Sequence, residues 1–213
     1  PAASNLQTDA TARSRPEASS VPAAPAAATD VGQRVVNAGS DQAPSASGGQ
    51  DRLAWARQAV AALSRKPTEG AKVIEVLDEI LAQEPKHAEA LGLMAEAAQM
   101  YGFDLIQAEK PNEGYPLFLK SARALRSLRE SGHPLPPTVQ RIAPAILYNE
   151  ACSFALLGDA ERAIASLSEA IDAGYKNLRE FEREADFESL RNRDDFKKLR
   201  ERLISAATGS TTK

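Results

Sequence analysis

From residue 51 to about residue 207, apolar residues recur at three- and four-residue spacing, the period of one face of an α-helix. Leu53, Ala56, Val60 and Leu63 predict a first helix over 51–66, with Asp51 as N-cap and Pro67 as stop. Thr68 caps a second, whose face is Val73, Ile74, Leu77, Ile80 and Leu81, and Pro85 closes it. A third follows His87 and carries Ala90, Leu91, Met94, Ala97, Ala98 and Tyr101; residues 102–106 either extend it or open a loop toward Pro111. The fourth, over 112–130, turns Leu117, Phe118, Ala122, Leu125 and Leu128 inward and stops at Ser131-Gly132-His133-Pro134. The fifth starts at Thr138 or after Pro144 and runs to Gly158, because a proline either kinks a helix or occupies its first turn. Asp159 caps a sixth, with Ala163, Ile164, Leu167, Ala170 and Ile171 buried before Gly174. A short turn over 178–190 and a last helix over 194–205, striped by Phe196, Leu199 and Leu203, end the pattern.

The first 50 residues break this rhythm. They hold 13 Ala, 7 Ser, 5 Pro and 4 Gly and no aromatic residue, too little apolar surface to offset the entropy of ordering. The expectation is a disordered Ala/Pro/Ser-rich arm over 1–50, with 31–37 as a short apolar island, a helical domain over 51–207 and a disordered tail over 208–213. The sequence starts at Pro1, which reads as a processed product or a piece of a longer chain. A tether of this kind follows a removed signal peptide in many envelope proteins and equally joins two domains. The reading leans toward a periplasmic or secreted bacterial protein, with the cytoplasm as alternative.

Self-comparison adds a repeat. The segment from Tyr148 to Ile164 pairs a small residue and an aromatic, Ala151 and Phe154, with the turn Gly158-Asp159, and Ala163, Leu167 and Ala170 follow. This resembles a tetratricopeptide repeat, a 34-residue helix-turn-helix unit. Small residues there let two helices approach closely, while Phe154 and Leu167 fill the space between layers. A weaker match covers 54–87, with Ala61, Ser64, Val73, Leu77 and Ile80; a third, over 88–137, is divergent, with insertions around 103–112 and 132–139. The best unit spans 144–177. Leu178, Phe181, Phe187, Leu190, Phe196, Leu199 and Leu203 suit a cap over 178–207, like the closing segment that often follows a last bacterial unit. The resemblance implies an all-α fold: a short right-handed solenoid of α-hairpins with a C-terminal capping helix.

Chemistry adds little to this pattern. Net charge is -3, which gives no electrostatic case for nucleic acid or an anionic membrane, and no apolar run reaches the ~18 residues of a membrane span. One cysteine allows no intrachain disulfide framework and no multi-cysteine zinc site. His87 and His133 have no second ligand at helical spacing, and Cys152 reads as a packing residue with no His or Lys in register. The alternating charges of 180–202 read as a solvated, salt-bridged surface. No enzyme, cofactor or metal motif is present, and no phosphate loop follows the glycines.

The resemblance implies a concave groove, lined by the first helices of successive units, that binds a protein or peptide. Mapped onto this chain, it takes in Trp55 and Gln58, then Glu89, Leu93 and Glu96, then Tyr148, Asn149 and Cys152. Trp55 and Tyr148 are its natural aromatic anchors, although Trp55 equally suits packing on the second helix. Asn149 matches one position of the family's clamp for a terminal carboxylate, whereas Gln58 and Glu89 stand where further clamp residues are needed. The expected function is therefore a non-enzymatic adaptor or scaffold. The alternative is a structural or regulatory domain of a larger enzyme or cell-envelope complex, and a helical enzyme using Glu or His is a third reading.

Overall fold

The computed structural model describes residues 48–208, all within one compact unit. The expected arm before Gly48 and its 31–37 island, together with the tail after Thr208, lie outside the described residues. Helices α1 (Gly49–Ala62), α2 (Gly70–Gln83), α3 (Ala88–Gln107), α4 (Pro111–Glu130), α5 (Pro137–Leu156), α6 (Ala160–Asp172), α7 (Leu178–Arg183) and α8 (Asp194–Thr208) follow in order. Short 3-10 turns occupy Pro67–Glu69 and Ala185–Leu190, and no strand occurs among the described residues.

Helices pack on their neighbours in sequence: α1 on α2, α3 on α4, α5 on α6, with α2 also on α3 and α4 on α5. The three-residue link 108–110 joins two helices of 20 residues each that lie against one another, so the chain must reverse there. The reversal is a Schellman turn: Lys110 N–H donates to the Leu105 carbonyl at 2.9 Å and Glu109 N–H to Ile106 at 3.1 Å. Glu109 adopts φ 61, the conformation that Gly158, with φ 76, supplies in the equivalent turn between α5 and α6. Beyond adjacent pairs, α1 packs on α3 and α3 on α5, which brings the first helices of successive hairpins together.

Close approach is decided by glycines. A Cβ on Gly114 of α4 would stand 2.8 Å from the Gly102 carbonyl of α3, so these backbones touch where side chains are absent. Of the residues around 103–112, 103–107 form the last part of α3, 108–110 the link and 111–112 the start of α4, making α3 and α4 a longer pair than α1 and α2. Pro144 lies inside α5 and not at its start. The bond lost at proline is outweighed because Val139, Ala143, Ile146 and Leu147, on either side of it, are all buried in the core.

The C-terminal segment closes the core. The 3-10 turn Ala185–Leu190 packs on α5, and α8 packs on α6 and α7. Phe181, Phe187, Leu190, Phe196, Leu199 and Leu203 are all buried, as the apolar stripe of the sequence requires. In the hairpin of α5 and α6, Ala151, Ala163, Leu167 and Ala170 are buried too, whereas Phe154 is half-buried with the Arg162 guanidinium 4.4 Å above its ring.

Candidate functional site

The residues expected to line a groove divide into two groups. Trp55 and Leu93 are half-buried against the core, and Gln58 is exposed on α1. Glu89 accepts a hydrogen bond from Arg57 Nε at 2.6 Å, which ties α3 to α1 along this face. Glu96 accepts from the Thr138 hydroxyl at the start of α5, and a Cβ on nearby Gly92 would stand 3.2 Å from Pro136 Cγ. The connector before α5 therefore runs over the middle of α3 and narrows the face there. Asn149 is half-buried on α5.

Tyr148 and Cys152 correct the groove reading. Both are buried, Tyr148 at 2% and Cys152 at 4% exposure, because the C-terminal segment covers the face of α5 that carries them. Tyr148 stacks on Tyr175 with centroids 4.4 Å apart and meets the edge of Phe187 at 5.4 Å. Phe181 joins the same cluster, stacked on Phe196 at 4.6 Å. An aromatic ring hides ~150–250 Å², so at ~25 cal/mol per Å² each is stabilised by roughly 4–6 kcal/mol at most. That is ample reason for the cap to cover Tyr148 and leave no open anchor there.

Two polar constellations lie within this part of the fold. In the first, Arg126 of α4 donates twice to Glu150 of α5, at 2.5 and 2.6 Å, and reaches Glu169 of α6 at 3.2 Å. Ser166 donates to Glu150 Oε2, which also accepts from Arg126, at 2.7 Å. The hydrogen bond with Glu150 is the main reason the Arg126 guanidinium holds its proton even more firmly than an ordinary arginine. Three helices thus share one charge network, and its geometry suits structure, since Glu150 is buried and fully engaged.

The second constellation surrounds Cys152. Its Sγ and one carboxylate oxygen each of Glu184 and Asp186 lie within 4.8 Å of one another. Tyr115, on α4, donates its hydroxyl to Asp186 Oδ2 at 2.9 Å, and Tyr175 donates to Glu180 at 2.8 Å. Burial pushes the Cys152 thiol well above its ordinary range, and the carboxylates of Glu184, Asp186 and Glu180 push it further. The Tyr148 hydroxyl is pushed up by the same burial and by Cys152, Tyr175, Glu184 and Glu180. This hydroxyl is buried with no hydrogen-bond partner of good geometry, and the Tyr148 ring stacks on Tyr175. A protonated thiol in this setting is a poor nucleophile.

Sequence reading missed this second group. Tyr148 and Cys152 are four residues apart and share a helix face, which the sequence does reveal. Glu184 and Asp186 instead merge into the alternating charges of 180–202. His87 has a structural role, its Nδ1 accepting the Ala90 N–H at 3.3 Å as the N-cap of α3, and His133 is exposed in the turn after α4.

The fold defines an all-helical protein whose consecutive helices pack on their neighbours. Compared with family models, curated proteins and solved structures, the chain finds no match. Among the described residues, no helix is long and apolar enough to cross a membrane.

Proposed function

We propose that this chain is a non-catalytic protein-interaction module, a tetratricopeptide-like stack of α-hairpins that holds a partner protein or peptide against the faces of its first helices. The observation that carries the reading is the packing of α1 on α3 and of α3 on α5, which makes those faces contiguous. Trp55, Gln58, Glu89 and Leu93 supply a mixed apolar and polar surface on α1 and α3, with Trp55 as its large anchor. Tyr148 and Cys152, being covered, have no part in it.

A photo-crosslinking residue at Gln58 tests this against the same residue at Ala165, exposed on α6. Gln58 should capture a discrete partner that Ala165 does not, and Trp55→Ala or Leu93→Ala should reduce the yield. Equal capture at both positions, or indifference to both substitutions, would refute the assignment of the face. A second reading, a structural domain fixed within a larger enzyme or envelope complex, is favoured by Leu156 and Leu157, which are 51% and 67% exposed at the α5–α6 turn. Crosslinks concentrated at Leu157 would support that reading instead.

A further inference from the structure

We infer that Cys152, Glu184 and Asp186 form a binding site for one thiophilic divalent cation of the zinc class, beside the buried Tyr148 one helical turn before Cys152. The donor atoms lie within 4.8 Å of one another. With Zn–S near 2.3 Å and Zn–O near 2.0–2.2 Å, tetrahedral ligands stand about 3.5 Å apart, so the three close in by roughly 1 Å on binding. Short side-chain rotations cover that distance.

Chemistry narrows the class of ion. A thiolate beside two carboxylates is a poor set for magnesium or calcium, which take oxygen donors, and a fair one for zinc or cobalt. Binding replaces the thiol proton, which leaves to solvent, and forms one metal–sulfur and two metal–oxygen bonds with no change of oxidation state. An ion of charge two also offsets the negative charge that the ionised thiol and both carboxylates would bring together.

Two further observations point to a ligand. Tyr148, one helical turn before Cys152 on the same face of α5, is 2% exposed and its hydroxyl has no hydrogen-bond partner, a costly arrangement that a polar ligand bound beside Cys152 would relieve. Tyr115 donates to Asp186 Oδ2 at 2.9 Å, the outer-shell bond that typically orients a ligating carboxylate. The elements involved give the site a consequence: Cys152 belongs to α5, while Glu184 and Asp186 flank the start of the 3-10 turn that covers it. An ion there pins the C-terminal segment to the last hairpin.

The test uses the full untagged chain, freed of metal with a chelator and titrated with Co²⁺, then Zn²⁺. One Co²⁺ per chain with thiolate-to-cobalt charge-transfer absorption, displaced by Zn²⁺, is the expected result, as is a higher melting temperature with Zn²⁺. Cys152→Ser should abolish the charge-transfer band, Asp186→Asn should weaken binding strongly, and Tyr115→Phe should weaken it by about 10–100-fold. If Cys152→Ser loses helical circular dichroism, the half-buried Glu184→Gln variant serves in its place. Absence of stoichiometric Co²⁺ binding, binding without the thiolate band, or affinity unchanged in both Glu184→Gln and Asp186→Asn would overturn the site.

Discussion

Removing Arg126 should cost far more stability than removing the charge it neutralises. The Glu150 side chain is 5% exposed, whereas that of Arg126 is 32% exposed and that of Glu169 43%. Arg126→Met leaves the Glu150 carboxylate in the core with the Ser166 hydroxyl and without two charge-assisted bonds. Losing one member of a buried pair costs about 3–5 kcal/mol, and the open side of Arg126 admits water, which places this case near 3 kcal/mol. Glu150→Gln leaves the guanidinium in contact with Glu169 and solvent, for a cost of about 1–2 kcal/mol.

The double variant Arg126→Met/Glu150→Gln removes both charges together, and its cost should fall well below the sum of the single costs. Urea unfolding followed by far-UV circular dichroism, with melting temperature as a second readout, measures all three variants. A coupling of about 2 kcal/mol is expected. Effects additive within ~0.5 kcal/mol, or an Arg126→Met variant costing less than Glu150→Gln, would mean that the network does not hold α4, α5 and α6 together.

Gly114→Ala should destabilise, although Gly→Ala inside a helix normally gains about 0.5–1 kcal/mol. The new Cβ would stand 2.8 Å from the Gly102 carbonyl, a backbone atom that cannot rotate away, and overpacking of about 1–3 kcal/mol wins; a raised melting temperature would refute the close crossing. Asp159→Asn should flatten the acid limb of the stability curve. The Arg162 backbone N–H, then its guanidinium, lowers the Asp159 carboxyl below the ordinary range. Its contribution is therefore full above the unfolded value near ~3.9 and is lost as pH falls through the lower folded value. Melting temperatures measured from about pH 6 to pH 3 should show wild type losing more than the variant, and parallel curves would refute it.

Helical periodicity revealed most of the hairpins because each helix carries its own record of which face is buried. Asp159 as a cap, Gly158 as a stop and the stripe Phe196, Leu199 and Leu203 all depend on local geometry, and all appear as expected. The end of α3 and the start of α5 were less legible. Gly102 looks like a helix stop until Gly114 is seen beside it, and Pro144 looks like a helix start until the buried residues around it are seen to hold the turn. In both places a tertiary contact overrides a local signal.

The site was harder to read for a related reason. Periodicity says that Tyr148 and Cys152 share a face of α5 but not which element covers that face. The repeat resemblance assigned it to a groove, and the cap covers it instead. This changes what the proposed interaction surface has to work with. Tyr148, Tyr175, Phe181, Phe187 and Phe196 are committed to one buried cluster, so the large aromatics outside it on α1 and α3 are Trp55, the single tryptophan of the chain, Tyr101 and the exposed Phe103. Partner binding on the proposed face would then be centred on the N-terminal hairpins, while the C-terminal half fixes the end of the stack through its aromatic core and the Cys152 group. Substitutions at the two ends should accordingly separate: Trp55→Ala should affect capture without changing Co²⁺ affinity, and Asp186→Asn should affect cation affinity without changing capture.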